Sequence, residues 1–201
     1  KRWNLKKGYF ENEYRSHIGV GSEGMIYKMA LSPDNKYLAI AGWFGADDES
    51  EPIGDVRVFN YETGKMHIIL KGLNNSSTGL AFTKDSKFLV AGDTESKVLK
   101  WDLSSGEIVG DFSFHSTEMD KELHVLASNG ELMVTAGWDG KFALFDLNKP
   151  GKPIKEDKKF FKESLCNNIG AAAISKDGSE TAMALNHFIL LYTKNFKPYL
   201  I

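Results

Sequence analysis

Asp47, Asp48, Glu49 and Glu51 put four carboxylates into five positions, the densest cluster of metal-capable oxygens in the sequence. Crowded acids attract calcium, but a dedicated calcium loop spaces them as Asp-x-Asp-x-Asp-Gly, and this run does not. It reads as a solvated or partner-binding loop, and no metal or cofactor is expected. The histidines, His17, His67, His115, His124 and His187, show neither His-x-His nor His-x3-His spacing, so no zinc site is signalled. Each reads as a strand or loop histidine. Cys166 has no nucleophile motif around it. "GVGSEG" at 19–24 lacks the Gly-Lys-Ser/Thr of a phosphate loop and runs into a strand-like stretch, so it reads as a connection. "KEDKKFFK" at 155–162 sets Phe160 and Phe161 among lysines that could meet an acidic surface. Its own Glu and Asp offset that charge, which favours a solvated connector. No catalytic residue is expected.

Bulk composition narrows the classes further. The chain has 201 residues, 42% hydrophobic and 26% charged, enough to bury a sizeable core. Its formal net charge of -2 supplies no field for nucleic acid or anionic lipid, so neither is expected as a partner. "KRWNLKKGYF" contains no signal-like apolar run, and nowhere do about 18 apolar residues follow one another. A single cysteine fits a reducing compartment, and a cytoplasmic location is the expectation. Lys1 lies within a strand-like stretch, which reads as a segment of something longer.

Repeats organise the chain. "AGWDGKFALFD" at 136–146 is echoed by "AIAGWFG…GDVRVFNYETG" near 39–64, "LVAGDTESKVLKWDLSSG" at 89–106 and "AMALNHFILLYTKN" at 182–195. Their aromatics, Phe59, Trp101, Phe145 and Tyr192, recur every 42 to 47 residues, with Trp3 as a truncated earlier member. Ahead of each aromatic comes an apolar run, a polar turn and a second apolar run, as in "MALSPDNKYLAIAG" and "LAFTKDSKFLVAG". That chemistry predicts a hairpin. A third strand ends at the aromatic and a fourth follows turns such as "YETGK" and "LSSGE". Each repeat is therefore expected to form four antiparallel strands.

These residues resemble the WD-repeat β-propeller family, whose blades close their third strand with Trp-Asp. Trp101-Asp102 matches fully, Phe145-Asp146 and Phe59-Asn60 with substitution, and Trp3-Asn4 and Tyr192-Thr193 loosely. The resemblance implies an all-β propeller domain over 1–201, with blade pieces at about 1–10, 25–70, 78–114, 123–155 and 169–201. Four blades are complete and one contributes only its last two strands. Seven blades would need about 290 residues, so the expectation is an arc of a larger propeller. In the family, a turn Asp, a His before the first strand, a Ser or Thr on the second and the Trp of the third form a buried hydrogen-bonded set. Asp139 takes the Asp position, and Glu95 the corresponding place in the preceding blade. Leu73 stands where the family often has His, and Phe145 has no indole N–H, so most of these blades are expected to depend on apolar packing.

Long connections at 11–24, 45–54, 115–121 and 155–168 all fall between blades or between second and third strands, on one face of such a fold. Loops on a rigid scaffold are where binding is expected. Trp43, Phe44, Asn74, Asn75 and Trp138, with Asp47, Asp48 and Glu49 at the outer edge, are the expected partner surface. Trp43 and Trp138 read equally well as plugs between blades. "GVGSEGMIYKMALSPDNKYLAIAGWFG" and "GLNNSSTGLAFTKD" also resemble the repeat regions of bacterial multidomain proteins carrying a caspase-like peptidase. The functional expectation is a non-catalytic protein-interaction scaffold or sensing arm whose partners are proteins and the rest of a propeller. A small-ligand or peptide-binding propeller is the first alternative, and an enzyme with an unrecognised site the second.

Overall fold

Alternating apolar residues separated by Asp-, Asn- and Gly-bearing turns leave the backbone one economical solution, an antiparallel meander. The computed structural model describes residues 1–16, 24–45, 53–116, 123–157, 169–185, 188–193 and 198–200. Four such meanders follow one another. The first comprises β3 (Met25–Leu31), β4 (Tyr37–Trp43), β5 (Val56–Asn60) and β6 (Met66–Leu70), after a lone pair, β1 (Arg2–Asn4) and β2 (Tyr9–Asn12). The second is β7 (Ser77–Phe82), β8 (Phe88–Asp93), β9 (Val98–Asp102) and β10 (Ile108–Asp111), and the third β11 (Leu123–Ser128), β12 (Leu132–Gly137), β13 (Phe142–Asp146) and β14 (Lys155–Asp157). The fourth is β15 (Ile169–Ile174), β16 (Glu180–Leu185), β17 (Phe188–Thr193) and β18 (Pro198–Leu200). No helix occurs among the described residues. The sheets stack in chain order, with β3, β7, β11 and β15 adjacent along the inside, and the array does not close on itself. It is a partial propeller.

The acid of the aromatic-acid pair has a local task. Asp102 accepts hydrogen bonds from Ser104 N–H (2.7 Å) and Ser105 N–H (3.3 Å), which fixes the turn into β10. Asn60 does the same for Glu62 and Thr63, Asn4 for Lys6 and Lys7, and Asp146 for Asn148. The opposite hairpin turns use a hydroxyl and an Asp two residues on: Ser32 with Asp34, Thr83 with Asp85, Ser175 with Asp177. Asp177 is held at about 2, first by the Ser175 hydroxyl and then by the N–H and hydroxyl of Ser179. The group that favours folding is therefore its carboxylate. Its contribution is complete above the ordinary carboxylate value and is lost as pH falls through about 2.

The aromatic has a tertiary task. Phe59, Trp101, Phe145 and Tyr192 are all at most 1% exposed. The apolar clusters run between sheets rather than within them. One joins Val58 and Leu70 of the first sheet to Leu89 and Trp101 of the second, another joins Val90 and Val98 to Met133 and Phe145, and a third joins Val134 and Phe142 to Met183 and Tyr192. Gly79 permits the closest approach, since a Cβ there would lie 2.3 Å from the Cβ of Leu126 on the neighbouring inner strand. Trp3 departs from the pattern. It is 56% exposed and meets Phe10 edge-on, because the β1–β2 pair turns Arg2 and Asn12 toward Tyr61 and Glu62 of the first sheet and, among the described residues, no sheet covers the side that carries Trp3.

One buried hydroxyl breaks the apolar rule. Thr181 is buried and its Oγ1 has no hydrogen-bond partner. An unsatisfied buried hydroxyl costs about 1–3 kcal/mol, so Thr181→Val is expected to stabilise the fold by about 1 kcal/mol and raise Tm by about 2–4 °C. Calorimetry of the two proteins checks this, and a lowered Tm would mean that the hydroxyl is satisfied.

Candidate functional site

The two ends of the sheet stack differ in chemistry. At one end the first turns of successive sheets are tied to each other: Asp34 N–H donates to Ser86 Oγ (3.2 Å), Lys84 N–H to Gly130 C=O (3.0 Å), and Asn129 Nδ2 to Ser175 C=O (3.3 Å). The other end carries the connections between sheets beside the turns between second and third strands. Backbone bonds pair Gly24 with Trp43 and Thr94 with Ser76, and Ser96 bridges to the next connection by donating to Ser116 C=O (2.5 Å) and accepting from Leu123 N–H (2.8 Å). Ser96 holds a left-handed φ of 69° to do so. Its side chain compensates for a backbone that glycine would adopt freely.

In the third sheet a polar relay of three side chains spans this end. His115 Nδ1–H donates to Asp139 Oδ1 (3.0 Å), and Nε2 is hydrogen-bonded to Thr135 Oγ1 at 2.9 Å. Asp139 also accepts Ser116 N–H (3.0 Å) and Lys141 N–H (3.0 Å). The sequence had placed Asp139 in this set but had left His115 as an ordinary loop histidine. The missing clue is distance, for its partners lie 20 and 24 residues downstream.

The second sheet solves the same problem differently. Leu73 and Ala91, both buried, occupy the places of His115 and Thr135. Glu95, which counting back from the aromatic had put at the acid position, is exposed and accepts only from Asn75 Nδ2 (3.2 Å). Asp93, two residues earlier and fully buried, takes its place. Its Oδ2 accepts from Asn74 N–H (2.8 Å) and Asn75 N–H (3.3 Å), and its Oδ1 from Glu95 N–H and Lys97 N–H (both 2.9 Å). Without a threonine partner, the Trp101 indole donates instead to Lys71 C=O (2.9 Å). At the Thr135 register the other two sheets carry Ile40 and Met183, both apolar and buried.

Burial pushes the Asp93 carboxyl up, against the pull of its four N–H donors. Burial acts the same way on Asp139, but the His115 hydrogen bond and charge, helped by Lys141 and Ser116 N–H, outweigh it and hold that acid below the usual range. The two therefore affect stability with opposite sign. A depressed pKa gives stabilisation that is full above the ordinary value, about 3.9, and declines as pH falls through the folded one. A raised pKa gives stabilisation that grows as pH falls through it. The stability advantage of the parent over Asp139→Asn is expected to shrink below about pH 4. Relative to Asp93→Asn, the parent should gain stability on mild acidification, and denaturant titrations across pH compare the pairs.

The residues expected on the partner surface separate. Phe44 is 1% exposed and packs beneath the Arg57 guanidinium, whose carbon lies 4.3 Å from the ring centre, so it is core and no contact residue. Asn74 is exposed, while Trp43, Asn75 and Trp138 are half-buried. The main-chain N–H groups of Asn74 and Asn75 are bound to Asp93, leaving the exposed Asn74 side chain next to Lys97, whose Nζ donates to it (3.1 Å). Asp47, Asp48 and Glu49, with Phe160, Phe161, Cys166, His17 and His187, lie outside the described residues. Among the described residues no three His, Cys, Asp or Glu side chains gather as a metal site, and no helix is long and apolar enough to cross a membrane.

The fold and the buried relay define a propeller arc built of WD-like repeats. In sequence, the chain is similar to the target of rapamycin complex subunit wat1 of Schizosaccharomyces pombe, 25% identical over 130 residues that make up 64% of this chain and 37% of that protein. It is also similar to WD repeat-containing protein 1 of Bos taurus, 26% identical over 144 residues, 69% of this chain and 22% of the relative. The chain thus spans well under half the length of these relatives. No protein-family profile matches it.

Proposed function

We propose that this chain is a non-catalytic scaffold that binds other proteins through the end carrying the connections between sheets. The chemical difference between the two ends supports this reading. One is a rim of short turns whose polar groups are spent on each other, and the other presents exposed Asn74 and half-buried Trp43 and Trp138 on a rigid sheet stack. The relatives point the same way, since one is named as a subunit of a complex. The exposed apolar face of β3, with Met25, Ile26, Tyr27, Met29 and Leu31, supports an arc that further blades complete. A sensing arm of a multidomain bacterial protein rests on the resemblance of the 19–45 region, and a cytoplasmic setting on the lone cysteine.

A photo-crosslinking residue at Asn74 is expected to capture a partner protein in cell extract, while one at Ser105, on the opposite turns, captures none. Adducts from Ser105 alone, or from neither, reject the reading. A second reading, a ligand-binding propeller, is favoured by the 390 Å³ cavity that all four inner strands line, with Lys28, Ser76, Ser77 and Thr94 among its polar groups. A compound-induced rise in Tm that Lys28→Ala abolishes would support it.

A further inference from the structure

We propose that the seam between the second and third sheets binds an extended peptide segment carrying one large apolar side chain between an acidic and a basic residue. This rests on the scaffold reading and gives it a place and a partner chemistry. Past β10 the chain stays tied to the start of β9, Phe112 N–H donating to Val98 C=O (2.8 Å) and Val98 N–H to Ser113 Oγ (3.0 Å), before it runs on through Phe114, and opposite it Gly151 to Ile154 leads into β14. A bond from Gly151 N–H to Asp111 C=O (2.9 Å) joins the two segments. Between them lies a groove of ≈ 800 Å³ lined by Asp111, Ser113, Phe114, Lys152, Pro153 and Ile154. Its Asp111, Ser113 and Phe114 wall is shared with a second hollow of ≈ 300 Å³ that reaches Asn74, Glu95 and Lys97. One channel thus runs from the outer edge to the end that carries the connections.

Three properties of this channel select its occupant. Among the described residues the main-chain N–H and C=O of Phe114 and of Lys152 have no hydrogen-bond partner, which suits an added extended strand. Ile154 is 52% exposed beside Phe114 and Pro153, an apolar seat for one side chain. The charges are divided. Among the described residues the Lys152 ammonium forms no ion pair, with Lys155 and Glu156 beyond it on that wall, whereas the Asp111 carboxylate accepts only Ser113 N–H and Glu95 stands further along the opposite wall. An acidic residue of the peptide matches Lys152, and a basic one matches Asp111 and Glu95. A helix spends its backbone groups on itself and would leave the unpaired main chain unmatched.

The test selects a phage-displayed random peptide library on the whole 201-residue chain and measures synthetic versions of the enriched peptides by fluorescence anisotropy. Peptides with an apolar residue next to an acid are expected. Ile154→Glu should weaken them by about 10-fold or more. Lys152→Glu should weaken them by about 2- to 5-fold, restored when the peptide acid is changed to lysine. Both positions are exposed, so each variant keeps its fold, and Leu5→Ala, on the exposed β1–β2 pair far from the seam, should leave binding unchanged. No enrichment, or binding that survives Ile154→Glu, overturns the seam site. Peptides lost with Trp43→Ala but not with Ile154→Glu also overturn it while leaving the scaffold reading intact. The crosslinking experiment judges that reading separately.

Discussion

Asp93→Ala is expected to destabilise the protein by about 3 kcal/mol and lower Tm by about 6–12 °C. The carboxylate accepts four main-chain N–H groups, two from the entry into the second sheet and two from its own turn, so its removal strands donors in both segments. Asp93→Asn keeps one carbonyl oxygen and with it two of the four bonds, and it removes a carboxylate that burial disfavours. It should therefore lose less than half as much. Denaturant unfolding of the three proteins separates the possibilities. If the alanine variant loses under 1 kcal/mol, the turn holds itself and the carboxylate is incidental.

The second large effect lies in the third sheet. His115→Leu leaves the fully buried Thr135 hydroxyl and one oxygen of Asp139 without their shared partner, at an expected cost of about 3 kcal/mol. The second sheet suggests the remedy, because it carries Leu73 and Ala91 at these two places and is tightly packed. His115→Leu with Thr135→Ala should therefore be more stable than the two single effects predict, by about 1 kcal/mol or more in a double-mutant cycle. Asp139 keeps Ser116 N–H, Lys141 N–H and the Lys141 ammonium at 3.3 Å in that variant. Strict additivity would mean that the relay is three independent contacts rather than one unit.

Glu95 and Asp93 illustrate how far spacing carries. Counting from Trp101 puts Glu95 level with Asp139, and the strand pairings agree with that count. Yet Asp93 reaches the same connection from two residues upstream, because what matters is where a carboxylate can stand, and a short side chain at the end of β8 points into the gap that Glu95 leaves for solvent. Phe44 is a similar case. Its neighbours in sequence mark a loop, and only the Arg57 guanidinium lying over its ring shows that it is core. The seam groove leaves no trace in the sequence at all, since its walls are 40 residues apart and belong to separate repeats.

What the sequence determined by itself was whatever depends on neighbours. Alternation set the strands and the Asp and Asn of the turns set the hairpins, because each acts over a few residues of contiguous chain, and the recurrence of Phe59, Trp101, Phe145 and Tyr192 repeated that local unit into four equivalent layers. Tertiary structure alone decided the rest. Each inner strand carries a bulge near its start, at Tyr27, Thr78, His124 and Gly170, four residues with no common chemistry. Bulges of this kind bend a strand to suit the sheet beside it. The same holds for the choice between a His–Thr relay and a Leu–Ala contact, which is made where two sheets meet. Packing and hydrogen-bond satisfaction at such a meeting are properties of both surfaces together, and neither repeat contains them alone.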